Sequence, residues 1–508
     1  IEINRLRFNQ LDQWLGRDMS VSLTAFETSV KSANFTKQEI IVNHIRMTDP
    51  QFMQYNYTGR KPEETSAPAQ VNINVSQATA AEDAGWTLMV SELSLTNGAV
   101  LIKKEMDREL YPDFFEGQHL FFNQINGKFT NTRFANDSLV THLDIQAKER
   151  SGLFIQKLES DFSFLPSKME FKNLDLQTNK SKLGTYFSMS FDSFNRDMSR
   201  FLHNVKLDAQ FQNSVLHSDD LAYFAPGLKS WKKTFALAGK VQGTVDDFST
   251  ETISIDAGST KFSGKISMRG LPDINSTFID LKSDGLTTHY RDLSTLIPSL
   301  KNIRQPALQK LGNIYYKGNF TGFINDFVAF GSIRTDLGNL TADLNMKLPE
   351  RGTPSYSGNI MTQSFRLGSF MNTAALGDIA INGKINGRGF TLKELDVKFN
   401  GYVPQIAVNG YRYTNIAING EFKRSLFNGH LTTDDPNLRI KSLNGTVDFA
   451  GRELAFNADT DLDYINLKNL GFSKENVSIR GLLNLNFTGN NIDAFFGSAT
   501  IKNATVTR

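Results

Sequence analysis

The chain has 508 residues, with 55 Lys and Arg against 53 Asp and Glu and with no Cys. Its basic residues form no long run, which argues against nucleic-acid binding, because that function requires a concentrated basic surface. The absence of Cys excludes disulfides and zinc–thiolate sites. Apolar residues make up 40% of the chain, and Phe, with 40 residues against 13 Tyr and 3 Trp, is unusually common.

Strand patterns follow one another along nearly the whole chain. Apolar and polar residues alternate within them, and Gly, Asn and Asp punctuate the gaps, as expected for strands joined by turns. Such alternation is typical of antiparallel sheet with one apolar and one solvated face, whereas buried parallel strands are continuously apolar. Clear examples occur at Val71–Val75, Leu139–Ile145, Val205–Phe211, Leu340–Met346 and Leu454–Ala458.

A few segments interrupt the strand patterns. Residues 61–70 contain two Pro among polar residues and predict a loop. Four further segments predict short helices, and in the third of them Asp292 is placed to cap the N-terminus and Pro298 to end the helix. We expect these helices to be insertions on the sheet. They are predicted at residues 105–122, 194–203, 291–300 and 367–376.

One strand motif recurs at least six times, and in each copy Gly lies on the same face as the apolar residues. In the first copy Gly239 and Gly243 share a face with Leu237 and Val241, while Lys, Gln and Thr occupy the other face. The copies recur at irregular intervals, which favours one long sheet over a ring of equal blades. They are found at Phe235–Val245, Phe262–Gly270, Ile314–Gly322, Ile379–Gly387, Ile416–Phe422 and Val477–Gly489.

The sequence contains no motif that indicates catalysis. The seven His residues are scattered, and neither a phosphate-binding loop nor a nucleophile elbow is present. The run Asp459, Asp461, Asp463 is similar to the start of a calcium loop. However, Tyr464 and Leu470 stand where such a loop requires Gly and Glu. We therefore expect no enzymatic activity, no metal and no cofactor.

The repeated apolar face has to be covered by something. The candidates are a second sheet, closure into a small barrel, bilayer lipid around a barrel, or lipid held in a groove. Gly at alternating positions of a filled core would leave costly gaps, so the pattern favours a sheet that curls and leaves channels between its side chains. A filled core in which Gly only relieves curvature stays open. A membrane barrel should carry Tyr and Trp girdles, which this Phe-rich chain lacks.

These patterns predict an all-β fold, an elongated and curled antiparallel sheet that forms a groove with an apolar interior and carries a few short helical insertions. The groove is predicted to hold phospholipid acyl chains, because each buried methylene contributes about 0.8 kcal/mol. Because the lining repeats, a lipid could slide along it. The predicted lining consists of Leu237, Gly239, Val241, Gly243, Val245, Ile314, Tyr316, Gly318, Phe320, Gly322, Leu344, Met346, Ile381, Gly383, Ile385, Ile479, Gly481, Leu483, Leu485 and Phe487.

Several stretches resemble the TamB branch of the AsmA-like superfamily of gram-negative bacteria. The resemblance is carried by Ala238–Phe248, Gly270–Asp280 and Tyr316–Gly331, which continues to Gly338. Trp86–Ile102 is also similar to AsmA-like sequences. On this basis residues 1–205 are predicted to be an AsmA-like N-terminal β region, 206–348 the central groove repeats, and 349–508 a continuation of the groove that is cut short.

The resemblance implies a periplasmic protein that transfers phospholipid between the inner and outer membranes. It also implies anchoring to the inner membrane through an N-terminal helix and pairing with an Omp85-family outer-membrane barrel. Neither the anchor nor the barrel-binding domain is visible, so we expect the chain to be a segment of a longer protein. Two other functions stay open: a β-rich scaffold for outer-membrane protein assembly, and a cell-surface structural or adhesive protein without lipid.

Overall fold

Strands dominate the computed structural model, which describes residues 1–60, 85–105, 109–303, 305–349, 351–391, 394–489 and 496–507. The predicted all-β fold with a few short helices is confirmed. The predicted loop at 61–70 and the predicted strand at 71–75 lie outside the described residues. The chain divides into two compact units, Ile1–Ala257 and Gly258–Arg508, called here the N-terminal and C-terminal units. The three-region division inferred from the family resemblance stays a prediction.

The described residues of the N-terminal unit form 13 strands. Alternation of apolar and polar residues gives most of these strands one face that is more buried than the other, as at Leu143 and Ala147 in the seventh strand. The strands are β1 (Glu2–Asp12), β2 (Arg17–Asn34), β3 (Glu39–Thr48), β4 (Gln51–Asn56), β5 (Thr87–Lys104), β6 (His119–Ala135), β7 (Ser138–Glu149), β8 (Phe154–Leu165), β9 (Lys168–Gln177), β10 (Lys182–Ser190), β11 (Lys206–His217), β12 (Thr234–Gly243) and β13 (Asp247–Ala257).

Two of the pairings described in the N-terminal unit are parallel, which the sequence patterns did not predict. Strands β3 and β4 both pair with β2 in the antiparallel sense, and β5 then runs parallel to both of them. A parallel neighbour needs a crossover connection of a dozen residues or more. The connection between β4 and β5 spans residues 57–86 and is long enough. The other pairings described in this unit are antiparallel.

In the part of the C-terminal unit that the structure describes there are 14 strands, and each pairs antiparallel with the next along the chain. This is the simplest connection for strands joined by short turns. The strands are β14 (Thr260–Arg269), β15 (Phe278–His289), β16 (Asn313–Phe323), β17 (Asp326–Thr335), β18 (Gly338–Lys347), β19 (Ser355–Arg366), β20 (Leu376–Arg388), β21 (Asp396–Val408), β22 (Tyr411–Lys423), β23 (Leu426–Asp435), β24 (Leu438–Asp448), β25 (Ala455–Asn466), β26 (Ser478–Thr488) and β27 (Phe496–Thr507).

Short helices occupy three of the four predicted places. The described helices are α1 (Phe194–Met198), α2 (Phe201–Asn204), α3 (Ser218–Leu221), α4 (Tyr290–Leu296) and α5 (Leu367–Met371), with short 3-10 helices at Pro226–Ser230, Ile274–Ser276, Pro298–Asn302 and Leu308–Leu311. The N-terminal cap of α4 is the ring of His289, which accepts from the Arg291 amide at 3.1 Å, and not Asp292 as predicted. Described helices are no longer than seven residues, and none is long and apolar enough to cross a membrane.

The predicted helix at 105–122 is wrong in its described part. Residues 109–118 are irregular, and β6 begins at His119. The Arg150 guanidinium donates to the carbonyl oxygens of Tyr111 at 3.0 Å and of Phe114 at 2.8 Å. These carbonyls therefore accept hydrogen bonds from a side chain in the turn after β7, and not from amides four residues farther along the segment, as they would in a helix. The periodicity of the sequence does not reveal a hydrogen bond of this kind between distant residues.

The solvated face of the C-terminal unit is built from polar cross-strand rows. One row crosses all 14 strands and carries eight Asn or Asp residues and four Lys or His residues, with Phe330 its one apolar member. Such residues bond to one another across strands, as Asn484 Nδ2 does to Asp459 Oδ1 at 2.7 Å. The row consists of Lys265, Lys282, Asn319, Phe330, Asp343, Asn359, Lys384, Asn400, Asn419, His430, Asn444, Asp459, Asn484 and Thr500.

One carboxylate in the N-terminal unit is held by charge-assisted bonds. Glu170 in β9 accepts from Lys168 Nζ at 2.7 Å and from Tyr186 Oη at 2.7 Å, and its side chain is only 13% exposed. The Lys168 ammonium, followed by the Tyr186 hydroxyl, lowers the pKa of Glu170 from 4.5 to about 2. Because the pKa of the folded state is the lower one, this interaction stabilises the unit above about pH 4.5 and is lost as the pH falls toward 2.

We predict that Glu170→Gln lowers the stability of the N-terminal unit at pH 7 and flattens its loss of stability between pH 4.5 and pH 2.5. Thermal unfolding of the full chain across this range measures both effects. The matched control is Glu251→Gln, because Glu251 is exposed in β13 of the same unit. Equal acid sensitivity of Glu170→Gln and the unsubstituted protein would contradict the prediction.

Candidate functional site: the apolar face of the C-terminal unit

The register of the C-terminal unit aligns its apolar residues into continuous rows. Residues that pair directly across neighbouring strands lie on the same face of the sheet, so the pairings can be followed from β14 to β27. The row nearest the middle of the strands is called here the central row. It consists of Gly264, Ser283, Gly318, Gly331, Ala342, Ile360, Gly383, Gly401, Ile418, Leu431, Leu443, Thr460, Leu483 and Ile501.

Two further rows run beside the central row on the same face. On every strand the second row lies two residues from the central row, and the third, called here the aromatic row, lies two residues beyond the second. The second row consists of Ile266, Leu281, Phe320, Ala329, Leu344, Gly358, Ile385, Phe399, Gly420, Gly429, Gly445, Ala458, Leu485 and Ala499. The aromatic row consists of Met268, Ile279, Gly322, Phe327, Met346, Tyr356, Gly387, Val397, Phe422, Phe427, Val447, Phe456, Phe487 and Gly497.

No charged residue occurs at any of the 42 positions in these three rows of 14, and the only polar side chains are those of Ser283, Thr460 and Tyr356. Neighbouring strands lie about 4.8 Å apart, so 13 spacings give an uncharged surface about 60 Å long, measured across the strands. A surface of this composition can contact only apolar groups without leaving a polar partner unsatisfied. We call this side of the sheet, from rim to rim, the apolar face, and the three rows are its uncharged part.

The 15 predicted lining residues of the C-terminal unit all lie on the apolar face. Ten belong to the three rows, and Ile314, Tyr316, Ile381, Ile479 and Gly481 lie on the same face farther from the aromatic row. The other five predicted residues belong to the N-terminal unit. Leu237, Gly239, Val241 and Gly243 lie in β12, whereas Val245 lies in the turn after that strand.

Residues of the intervening strands complete the face, and the predicted lining missed them. Strand β17 contributes Phe327, Ala329 and Gly331, which pair with residues of β16 and β18 on the apolar face. In this strand Val328 and Phe330 point to the other face, where they are 45% and 57% exposed. Both faces of β17 are therefore apolar, and alternation alone does not indicate which one belongs to the row. The pairing of β17 with the predicted residues of β16 would have identified Phe327, Ala329 and Gly331 as members of the face.

Burial changes across the apolar face from one end of the strands to the other. One rim of the sheet carries α4 and α5 and is called the helix-bearing rim. It is formed by the connections that lead into β16, β18, β20, β22, β24 and β26. The opposite rim, called the hairpin rim, carries the turns that lead into β15, β17, β19, β21, β23 and β25. Toward the helix-bearing rim the side chains of Ile379, Val403, Ile416, Ile440 and Leu462 are at most 9% exposed.

Toward the hairpin rim the same face is only half-covered. None of the large side chains of the aromatic row is fully buried, including Phe327, Phe422, Phe456 and Phe487. In a sheet that packs against a second layer, such side chains would form the centre of the core. Here they contact one another along the row, as the Phe456 and Phe487 rings do with centroids 5.0 Å apart. The apolar face therefore has a packed half and an open half.

At three glycines of the face, Phe rings occupy the space in which open channels were expected. A Cβ at Gly383 would lie 2.7 Å from the ring of Phe399, one at Gly401 would lie 2.8 Å from the same ring, and one at Gly420 would lie 2.7 Å from the ring of Phe427. Phe rings lie over these glycines and cover backbone that no side chain would otherwise cover. The expected open channels are therefore filled at these positions by Phe.

At Gly318 the constraint is the backbone itself. A Cβ there would overlap the carbonyl oxygen of Phe330 and would lie 2.6 Å from the Cα of Gly331, the residue paired with it on β17. The two strands approach closely at this pair of glycines. Gly318 is therefore required for the pairing of β16 with β17, in addition to its place in the central row.

The described residues hold no group of three or more His, Asp or Glu placed to bind a metal ion. Comparisons of the chain with protein-family models, with curated proteins and with solved structures found no match. The resemblance to the TamB branch therefore stays a prediction, and the properties of the apolar face are the basis for a functional argument.

We predict that Gly318→Ala weakens the pairing of β16 with β17 by about 1–3 kcal/mol, because the added methyl group overlaps backbone atoms. Amide hydrogen exchange in these strands should then accelerate by fivefold or more, since about 1.4 kcal/mol corresponds to a factor of ten. Gly285→Ala in β15 is the matched control, because its Cβ would make an ordinary contact of 3.6 Å with Tyr315 Oη. Unchanged exchange in Gly318→Ala would contradict the close approach.

Proposed function

We propose that the C-terminal unit binds phospholipid acyl chains along its apolar face, as part of a TamB-like protein that transfers phospholipid across the periplasm between the inner and outer membranes. The observation that carries the proposal is the set of three uncharged rows that continue through 14 strands and stay half-exposed toward one rim. An uncovered apolar surface of this length is unfavourable in water, and acyl chains match its width and chemistry.

The energetics favour binding without a fixed position. Each acyl methylene removed from water contributes about 0.8 kcal/mol, so a few buried methylenes suffice to hold a lipid. Apolar contact is non-directional, and neighbouring strands present similar side chains at intervals of about 4.8 Å. A lipid displaced by one strand exchanges one set of Phe, Ile and Leu contacts for a similar set. Binding of this kind supports movement along the rows and needs neither a cofactor nor catalysis.

In the proposed setting the partners lie beyond the apolar face. An inner-membrane anchor would bring lipid to one end of the protein, and an Omp85-family barrel would receive it at the other, as the family resemblance implies. The C-terminal unit would supply the intermediate path. The direction of transfer would be determined by those partners, because the rows of the unit are alike along their length.

The scaffold function is the second candidate. It would use the backbone groups of sheet edges, which can pair with a strand of another protein. Lipid binding and edge pairing use different surfaces of the unit, so a variant of the apolar face that keeps the edge intact separates the two functions.

We predict that Leu344→Glu lowers the amount of phospholipid that co-purifies with the full chain by about tenfold. The half-buried Leu344 lies in the second row, and a carboxylate there would lose hydration wherever an acyl chain crosses it. Native mass spectrometry with lipid extraction measures the bound lipid, and circular dichroism checks that the strands remain.

The matched control for this test is Asn345→Glu, which places the same charge on the next residue, on the solvated face. It should retain lipid at the level of the unsubstituted protein. A lipid-free unsubstituted protein, or equal lipid content in both variants, would exclude acyl-chain binding on this face. Loss of lipid without loss of outer-membrane protein assembly would favour the scaffold function.

A further inference from the structure

Two open cavities lie side by side on the solvated face of the C-terminal unit. Their volumes are about 580 Å³ and about 440 Å³, and they are called here the first and the second cavity. Both are lined by Met361, Thr362 and Gln363 of β19. The first extends over β18 and the turn before it, and the second extends over β20 and β21. Together they form a groove across four strands, roughly 15 Å long at a strand spacing of about 4.8 Å.

The groove lies where β-bulges in neighbouring strand pairs are aligned. It follows a row of the solvated face whose members each stand directly beside a residue of the central row in the chain. The row consists of Thr341, Met361, Asn382 and Tyr402. The bulges next to it lie at Gly338–Thr341, Thr362–Phe365 and Ala380–Asn382. A bulge turns side chains out of the regular alternation and is often found beside a functional site.

The second cavity has a small residue at its base and large exposed residues at its sides. Ala380 lines it and is only 3% exposed, whereas Met361 and Tyr402 are 47% and 42% exposed. The Tyr402 hydroxyl donates to Asn415 Oδ1 at 2.6 Å, and this bond holds the ring in place. A fixed aromatic ring and a thioether therefore present apolar surface to any ligand in this cavity.

The polar groups of the second cavity are neutral. Its lining includes the side-chain amides of Gln363, Asn382 and Gln405, which have no hydrogen-bond partner among the described residues. Thr362 lines both cavities, and its buried Oγ1 also lacks a partner in the described structure. Polar groups in folded proteins are normally satisfied. The cavity therefore offers several donors and acceptors to a ligand and, within the described lining, no charge.

Charged residues of the described lining belong to the first cavity, at its end toward the helix-bearing rim. They are Asp336, Arg366 and Asp378. Arg366 lies directly opposite Asp378 across the strands, and its guanidinium donates to the carbonyl oxygen of Asp336. The Asp336 carboxylate accepts from the Asn313 amide at 3.0 Å. These charges are balanced within the protein, and the middle of the groove, at Met361, is uncharged.

This combination of groups is selective for a class of ligand. A charged ligand would find no opposite charge in the second cavity, and an acyl chain would leave its amides without partners. A peptide strand binds to the backbone of a sheet edge, whereas β19 and β20 are paired on both sides. A sugar has hydroxyl groups that both donate and accept, as side-chain amides do, and an apolar C–H face that packs on an aromatic ring.

We propose that the groove across β18–β21 binds a neutral oligosaccharide. One sugar ring packs between Met361 and Tyr402 in the second cavity, and its hydroxyl groups exchange hydrogen bonds with the amides of Gln363, Asn382 and Gln405. The first cavity receives the neighbouring sugar of the same chain. This site is on the opposite side of the sheet from the apolar face, so it is a further function of the unit and does not depend on lipid binding.

Two neutral trisaccharides, cellotriose and chitotriose, test the proposal with the full chain. Saturation-transfer NMR detects their binding, and titration calorimetry measures the affinity. We expect at least one of them to bind and Tyr402→Ala to lower its affinity about tenfold, which corresponds to about 1.4 kcal/mol. The double variant Gln363→Ala, Gln405→Ala should give a similar loss, because it removes two of the three amides.

The matched control is Phe330→Ala, which removes an aromatic side chain from the same face. Phe330 is 57% exposed and lines neither cavity, so this variant should bind the sugar as the unsubstituted protein does. Binding of neither trisaccharide to the unsubstituted protein would overturn the proposal, and so would equal losses in Tyr402→Ala and Phe330→Ala. Binding of a capped oligoserine peptide as tight as that of the sugars would overturn the assigned ligand class.

Leu344→Glu separates this site from the lipid-binding face. Leu344 lies on the apolar face and lines neither cavity, so Leu344→Glu should keep its affinity for the sugar whether or not it loses phospholipid. Sugar binding that persists in Leu344→Glu and is lost in Tyr402→Ala supports a site on the solvated face. Loss of sugar binding in Leu344→Glu, with the strands intact by circular dichroism, would overturn that placement.

Discussion

Strand register is the constraint on which the apolar face depends. Side chains alternate between faces at every residue, so a slip of one residue moves the whole apolar set of a strand into solvent. In the C-terminal unit the register keeps three rows uncharged through 13 successive pairings, although no row is continuous in sequence. Two-residue turns join five of the 13 strand pairs, at 324–325, 336–337, 409–410, 424–425 and 436–437, and they hold this register because a turn of fixed length leaves each hairpin one way to pair.

Register shifts do occur, and all of those recorded in the C-terminal unit lie on one side of the three rows. The strands β14–β27 contain β-bulges only between the central row and the helix-bearing rim, such as those at Thr362–Phe365 and Leu462–Ile465. A bulge bends its strand and increases the local twist. The bulged half is also the half with buried side chains and helices, which is consistent with tighter packing where the sheet bends. The half toward the hairpin rim is regular and open.

The sequence predicted the fold class well because strand alternation is a local property. It also placed the lining residues of β16, β18, β20 and β26 on one face, since Gly and apolar residues there share a parity. It failed where the deciding interaction is between distant residues. The bonds from Arg150 that replace a helix at 109–118 are of this kind, and so are the pairings that assign Phe327 to the face and Phe330 to solvent. The covering of Gly383 by Phe399 also requires knowledge of which strands are neighbours.

The one-sided placement of the bulges determines where the chain tolerates changes in length. An inserted residue near the helix-bearing rim can be absorbed as one more bulge, because the pairing there is already interrupted and no continuous row crosses it. An inserted residue between the central row and the hairpin rim would move the aromatic row of that strand to the opposite face and place Asn or Lys among the rings. Related sequences that diverge by insertion and deletion are therefore expected to vary in length on the bulged side and to keep the hairpin side at constant spacing.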